Sequence, residues 1–193
     1  MLSTWRFILV VLLGCLGGLA SVWVAMEDPR FDFTPTIGPW RLVDLAPGDD
    51  PYAQARSSRK GLVWLGPSEG LTLAAFKASD GHSLSPNCVY AIEGPAPKDV
   101  PWTLTVADHD NHLPVNPAGR TGFSVYDVSR PGPGNGIRVG FGPTVRPGDF
   151  IPTAGLRSVA VYLRVYSATA AKQPLSAADL PAIVRQDCPA EAP

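Results

Sequence analysis

Between Arg6 and Glu27 the chain carries no charged residue, and positions 7–26 read FILVVLLGCLGGLASVWVAM. A helix over this run is roughly 30 Å long, the thickness of the hydrocarbon core of a bilayer. It satisfies its backbone groups internally and, Ser21 apart, offers lipid apolar side chains. The run therefore predicts a membrane-spanning helix over residues 1–26, with Phe7 and Met26 at the limits of the apolar stretch. Trp5 and Trp23 lie near its two ends, where an indole keeps its ring in the interface and its N–H toward water. Arg6 precedes the run, and Glu27 and Asp28 follow it. That asymmetry predicts an N-terminus inside and the bulk of the chain outside.

Two other readings export the same domain. A cleaved signal peptide would use Phe7 to Leu13 as its apolar region and Gly18-Leu19-Ala20 as a small-residue cleavage signal. Leu12-Leu13-Gly14-Cys15 resembles a lipobox that would make Cys15 a lipidated N-terminus, although Leu16 to Met26 continue apolar where a mature lipoprotein has a polar tether. In a spanning helix Cys15 is simply a small apolar residue. Gly14 and Gly18 stand at the G-x-x-x-G spacing that lets two helices approach closely, a route to a homo-oligomer.

Beyond the run, breakers dominate. The chain has 19 Gly and 21 Pro without a period, which excludes long helices and favours short strands joined by turns. Hydrophobic residues at 45% against 17% charged supply a core and exclude a disordered chain. With 16 basic and 17 acidic side chains and no basic cluster, nucleic-acid binding has no electrostatic footing. Two cysteines, Cys88 and Cys188, remain outside the apolar run. An even pair in an exported domain points to a disulfide that fastens the C-terminal tail, the alternative being two thiols buried separately.

Residues 27–39, with Pro29, Pro35 and Pro39, read as an extended stalk, and the domain occupies 40–193. Asp50 to Lys60 (DPYAQARSSRK) suits a short helix, with Asp50 as N-cap, Pro51 at the first helical position and Gly61 beyond the end. Period-two alternation then predicts half-buried strands. It places Leu71 and Leu73 opposite Thr72 and Ala74, and Trp102, Leu104 and Val106 opposite Thr103 and Thr105. Phe123 and Val125 follow, then Ile137, Val139 and Phe141, and finally Val159, Val161, Leu163 and Val165 opposite Ala160, Tyr162, Arg164 and Tyr166. Turn clusters separate them at Ser79-Asp80-Gly81, Pro131 to Gly136 and Pro147-Gly148-Asp149. The sum is an all-β sandwich or jelly roll with one short helix, preceded by the N-terminal span.

Chemistry-bearing residues concentrate in one place. Asp108, His109, Asp110 and His112 are metal-ligand types within five residues, yet they directly follow a strand, where Asp and Asn also build turns. Ser57-x-x-Lys60 matches the S-x-x-K of penicillin-interacting serine enzymes, but its companion motifs are absent and Lys60 stands at the helix's end. No G-x-S-x-G elbow, phosphate loop or dinucleotide fingerprint occurs. Asp127, Glu93, Arg138 and Arg164 lie in or beside strands, where they either converge in a cleft or serve as sheet-surface charges. Trp40, Trp64, Trp102, Tyr126, Tyr162 and Tyr166 line a sugar- or peptide-binding face or else fill the core and its rim.

Pro101-Trp102-Thr103-Leu104-Thr105-Val106, the turn Asp108 to His112, Asn116-Pro117, Gly148-Asp149-Phe150-Ile151-Pro152 and Val161-Tyr162-Leu163-Arg164-Val165-Tyr166 resemble the bacterial domain of unknown function 1214. Gly38-Pro39-Trp40, Asp50-Pro51-Tyr52, Ser68-Glu69-Gly70-Leu71, Cys88-Val89-Tyr90 and Cys188 are similar to a small membrane-anchored subgroup of that family found in rhizobia and relatives. The resemblance implies a jelly-roll-like β domain and supports the Cys88–Cys188 bridge. It brings no activity, cofactor or catalytic residue. Asp149-Phe150 departs from the Asn-Trp more usual there. The resulting expectation is a single-pass inner-membrane protein with a cytoplasmic N-terminus and a periplasmic domain that binds or scaffolds an envelope protein or glycan. An envelope enzyme acting on glycan or peptide is the rival, recognisable by two acids and an aromatic floor in one pocket, and a self-assembling structural protein is the third reading.

Overall fold

The structure, a computed structural model, describes residues 2–27, 34–43, 55, 58, 65–66, 68–97, 100–129, 136–172 and 175–189. Helix α1 (Leu2–Glu27) takes up the uncharged run, and its Thr4–Met26 stretch has a mean hydropathy of 2.5, with side chains exposed from Thr4 to Val24. It is long and apolar enough to cross a membrane, as a signal sequence also is.

Among the described residues ten strands follow: β1 (Thr36–Ile37), β2 (Trp40–Val43), β3 (Leu71–Ala75), β4 (Val89–Gly94), β5 (Trp102–Ala107), β6 (Gly122–Ser124), β7 (Ile137–Gly142), β8 (Phe150–Pro152), β9 (Ala160–Val165) and β10 (Ala182–Asp187). They form a larger sheet in the order β1-β2-β3-β9-β5-β6 and a smaller one in the order β10-β4-β7-β8. Among the described strands every pairing is antiparallel except β7 with β8. The chain passes from one sheet to the other between β3 and β4, β4 and β5, β6 and β7, β8 and β9, and β9 and β10. These crossings close the two sheets over one core, the sandwich that alternation and turn spacing predict.

Much of the core lies where alternation puts it, although Ile92, Ile151 and Ile183 join from strands it did not mark and Val125, expected beside Phe123, is exposed. Leu73, Leu104, Val106, Val161 and Leu163 of the larger sheet meet Ile92, Ile137, Val139, Phe141, Ile151 and Ile183 of the smaller, all fully buried. Burying one such side chain contributes about 1.5–3 kcal/mol. The half-buried reading of β3 is corrected, because all five of its residues are buried, as are all of β9 except Arg164. Both are interior strands of the larger sheet, and their outward Ala74, Ala160 and Tyr162 join Ala107 in a second apolar cluster with Val43 and Phe76. Small side chains on that face pack closely, whereas periodicity alone reads alanine as indifferent.

Cys88 and Cys188 are joined. They flank β4 and β10, which are antiparallel neighbours, so the bond fastens the C-terminal edge strand to the smaller sheet. The Ser79-Asp80-Gly81 turn forms with Gly81 at φ 87, its amide donating to the Ala78 carbonyl while Asp80 Oδ1 accepts from the His82 amide. The expected 50–60 helix lies outside the described residues apart from Ala55 and Ser58, both helical. Ser57, Lys60, Trp64, residues 28–33 of the stalk and 131–135 of the Pro-Gly turn lie outside them too.

Candidate functional site

The Asp108–His112 segment is a turn built by one carboxylate. Strand β5 ends at Ala107, and Asp108 then curls the chain back. Its Oδ1 accepts from the amides of Asp110 (2.9 Å) and His112 (2.8 Å), and its Oδ2 stands 3.0 Å from His112 Nδ1. The Asp108 amide donates to the His112 carbonyl, and the Asn111 amide to the Asp108 carbonyl. Asn111 is left-handed at φ 66, a conformation asparagine tolerates better than most residues. Burial pushes the Asp108 carboxyl up, but the His112 amide, the His112 ring and the Asp110 amide together outweigh it and hold the group below its ordinary value of 3.8.

Tyr162 props the turn from beneath, its hydroxyl donating to Asn111 Oδ1 at 2.8 Å. Burial first, and the nearby Asp108 carboxylate second, push the phenol up to about 12 against the opposing pull of Arg164, so it stays a donor at neutral pH.

A second loop, between β8 and β9, faces this turn. His109 turns away from its neighbours to reach it: the His109 amide donates to Ser158 Oγ at 3.0 Å, and Nε2 donates to the Val159 carbonyl at 3.2 Å, with the ring edge-on to Phe76. Asn116 ties the two loops again, its Nδ2 donating to the Pro152 carbonyl (3.3 Å) and to the Arg120 carbonyl (2.8 Å) while Oδ1 accepts from the Arg120 amide (3.1 Å). A cleft of about 490 Å³ lies between them. Asp108, Asp110, His112, Leu113 and Val115 line one wall, and Ala154 to Arg157 the other. This volume falls in the range of small-molecule sites, about 300–1,000 Å³.

Of the four metal-type residues, the fold assembles three. One ligand atom each of Asp108, Asp110 and His112 lies within 4.8 Å of the others, whereas His109 is committed to Ser158 and Val159. Asp108 already spends both carboxylate oxygens on the turn, which makes it the organiser of this wall. The Asp108–His112 pair has the carboxylate–imidazole arrangement that orients a proton acceptor. Among the described residues no Ser, Thr or Cys side chain hydrogen-bonds to the His112 ring, and the cleft holds two acids with an aliphatic rather than aromatic lining.

The other candidates disperse. Glu93 and Arg138 are cross-strand partners at 3.3 Å, Asp127 caps its own turn through Ser124, and Arg164 lies over the Tyr162 ring, so these four form no cleft. Trp40, Trp102 and Tyr162 are buried, while Tyr126 and Tyr166 are exposed. Arg157, which sequence reasoning passes over, lines the cleft because the β8–β9 loop folds against the β5 turn; a lone arginine in a loop carries no sequence signal.

No curated protein matches the chain in sequence. Among solved structures, the fold is similar to the VPA0106 protein from Vibrio parahaemolyticus, with a TM-score of 0.51 and 19% identity over 72% of this chain and 36% of that one. An uncharacterised protein from Burkholderia cenocepacia aligns with a TM-score of 0.44 and 15% identity over 69% of this chain. The chain thus spans about a third of the length of either protein, 36% and 32%. The family model described as "Protein of unknown function (DUF1214)" matches residues 69–170, which run from the start of β3 past the end of β9 and take in both walls of the cleft, and the chain belongs to that family.

Proposed function

We propose that this chain is a cell-envelope binding module: α1 crosses the inner membrane once with its N-terminus in the cytoplasm, and the β-sandwich works in the periplasm by binding or scaffolding rather than by catalysis. The observation that carries the reading is an apolar helix followed by a domain closed by a Cys88–Cys188 disulfide. Such bonds persist in oxidising compartments, and the charge asymmetry of Arg6 before the helix and Glu27 after it favours the same orientation. The cleft between the β5–β6 and β8–β9 loops supplies a place to bind. Its walls are tied together through His109 at one side and Asn116 at the other, so a ligand meets a preformed site and little is lost to ordering it.

Proteolysis of spheroplasts tests this. The sandwich is expected to be digested from outside while an α1 fragment stays in the membrane pellet, and Cys88 and Cys188 are expected to resist alkylation until reduced. A protected domain with free thiols overturns the orientation, and a soluble full-length chain overturns the anchor.

A further inference from the structure

We propose that the cleft takes a small dipolar amino compound, a molecule with a free ammonium group and a free carboxylate, with Asp110 receiving the ammonium and Arg157 the carboxylate. This rests on the binding-module reading and names its ligand class.

Asp110 and Arg157 line the same cavity from different loops, and neither side chain has a hydrogen-bond or ion-pair partner among the described residues. Elsewhere on the domain several charges are matched: Arg138 with Glu93, Arg146 with Asp187, and Arg185 with Asp80. The cleft therefore presents one acid and one guanidinium that belong to a single concave surface yet are not paired with each other. A ligand with both charges satisfies both at once, and a planar guanidinium matches a carboxylate with two parallel hydrogen bonds. Asp108 does not compete for the ammonium, since its oxygens already hold the turn, but its negative charge adds to the potential at that wall.

The lining of the cleft also includes aliphatic side chains. Val115 is 94% exposed and Leu113 50%, and Leu156 lies on the facing wall. Exposed branched side chains at the mouth of a cleft gain from being covered, so part of the ligand is apolar. Free amino acids with aliphatic side chains and short peptides with free termini share this chemistry, and the size of the cleft accommodates either.

The test is an NMR titration of the full-length protein in detergent micelles with alanyl-leucine and with free leucine, each against forms blocked at one end: N-acetylated or amidated. The expected result is binding of the unblocked compounds and at least tenfold weaker binding when either end is blocked. Asp110→Asn is expected to weaken the unblocked ligand about tenfold and leave the N-acetylated form unchanged, and Arg157→Gln to do the same with respect to the amidated form, a tenfold change being about 1.4 kcal/mol. Both residues are exposed, so melting temperatures that match the parent exclude a folding defect. Preference for the dipeptide over leucine assigns a peptide, and equal binding assigns an amino acid. Blocked compounds that bind as tightly as unblocked ones, or variants without effect, overturn the ligand class while leaving the binding module in place. Cleavage of the dipeptide in the same sample overturns the non-catalytic reading and leaves the ligand class standing.

Discussion

Trp40 Nε1 donates to the carbonyl of Pro181 at 2.7 Å, across 141 residues of chain. Trp40 opens β2 of the larger sheet, and Pro181 immediately precedes β10 of the smaller, so one hydrogen bond ties the first long strand of the domain to the last. The indole is fully buried and packs in the core between the sheets. Trp40→Phe keeps an aromatic ring but removes the donor, leaves the Pro181 carbonyl unpaired and opens a void. The expected loss is about 2–4 kcal/mol, read by urea denaturation. A midpoint unchanged from the parent would show that the tie carries no stability.

Reduction is expected to loosen the same edge. The Cys88–Cys188 bond closes a separation of 100 residues and holds β10, which has a neighbour on only one side. Replacing both cysteines by serine is expected to cost about 2–4 kcal/mol, with parent and variant melting alike once reductant is present. Equal melting without reductant would refute it.

Asp108 makes the cleft's acidic wall sensitive to acid. Its carboxyl titrates below the ordinary value of 3.8 in the folded chain, so its contribution to stability is complete above that value and is lost as pH falls through the lowered one. Asp108→Asn is expected to cost about 1–3 kcal/mol at neutral pH, because the amides of Asp110 and His112 lose a charged acceptor. The difference between parent and variant should close in strong acid. A gap that stays constant with pH would mean that the charge is not what holds the turn.

Gly70 predicts a steric limit. A Cβ placed there would lie 2.0 Å from the carbonyl oxygen of Val165, in the backbone of β9, and backbone cannot swing aside as a side chain can. Gly70→Ala is expected to destabilise by about 2–4 kcal/mol in thermal melts. A variant as stable as the parent would mean that the β3–β9 contact opens freely.

What was legible in the residues was local. A run of twenty uncharged positions, apolar but for Ser21, favours a helix that satisfies its own backbone, so α1 was readable from composition and length. Trp102, Leu104 and Val106, and Ile137, Val139 and Phe141, turned their buried faces where alternation put them, because a pleated strand alternates sides at every residue. Asp80, Gly81 and Gly148 marked turns through conformations and side-chain bonds that need only nearby atoms. Strand β10 (AIVRQD) was missed, since its Arg185, Gln186 and Asp187 are exposed and its alternation is cut short.

The sequence by itself therefore determined one apolar helix, a β-rich domain, its turns and the two cysteines available to pair. Only the tertiary structure decided the order of strands in the two sheets, the burial of β3 on both faces, the departure of His109 from its neighbours, and the placing of Asp110 and Arg157 on the lining of one cleft. The reason is physical. Helix formation, pleat and turn geometry depend on atoms a few residues apart, whereas the pairing of strands and the walls of a cleft depend on segments brought together by the shared burial of a core, to which no single stretch of sequence is a guide.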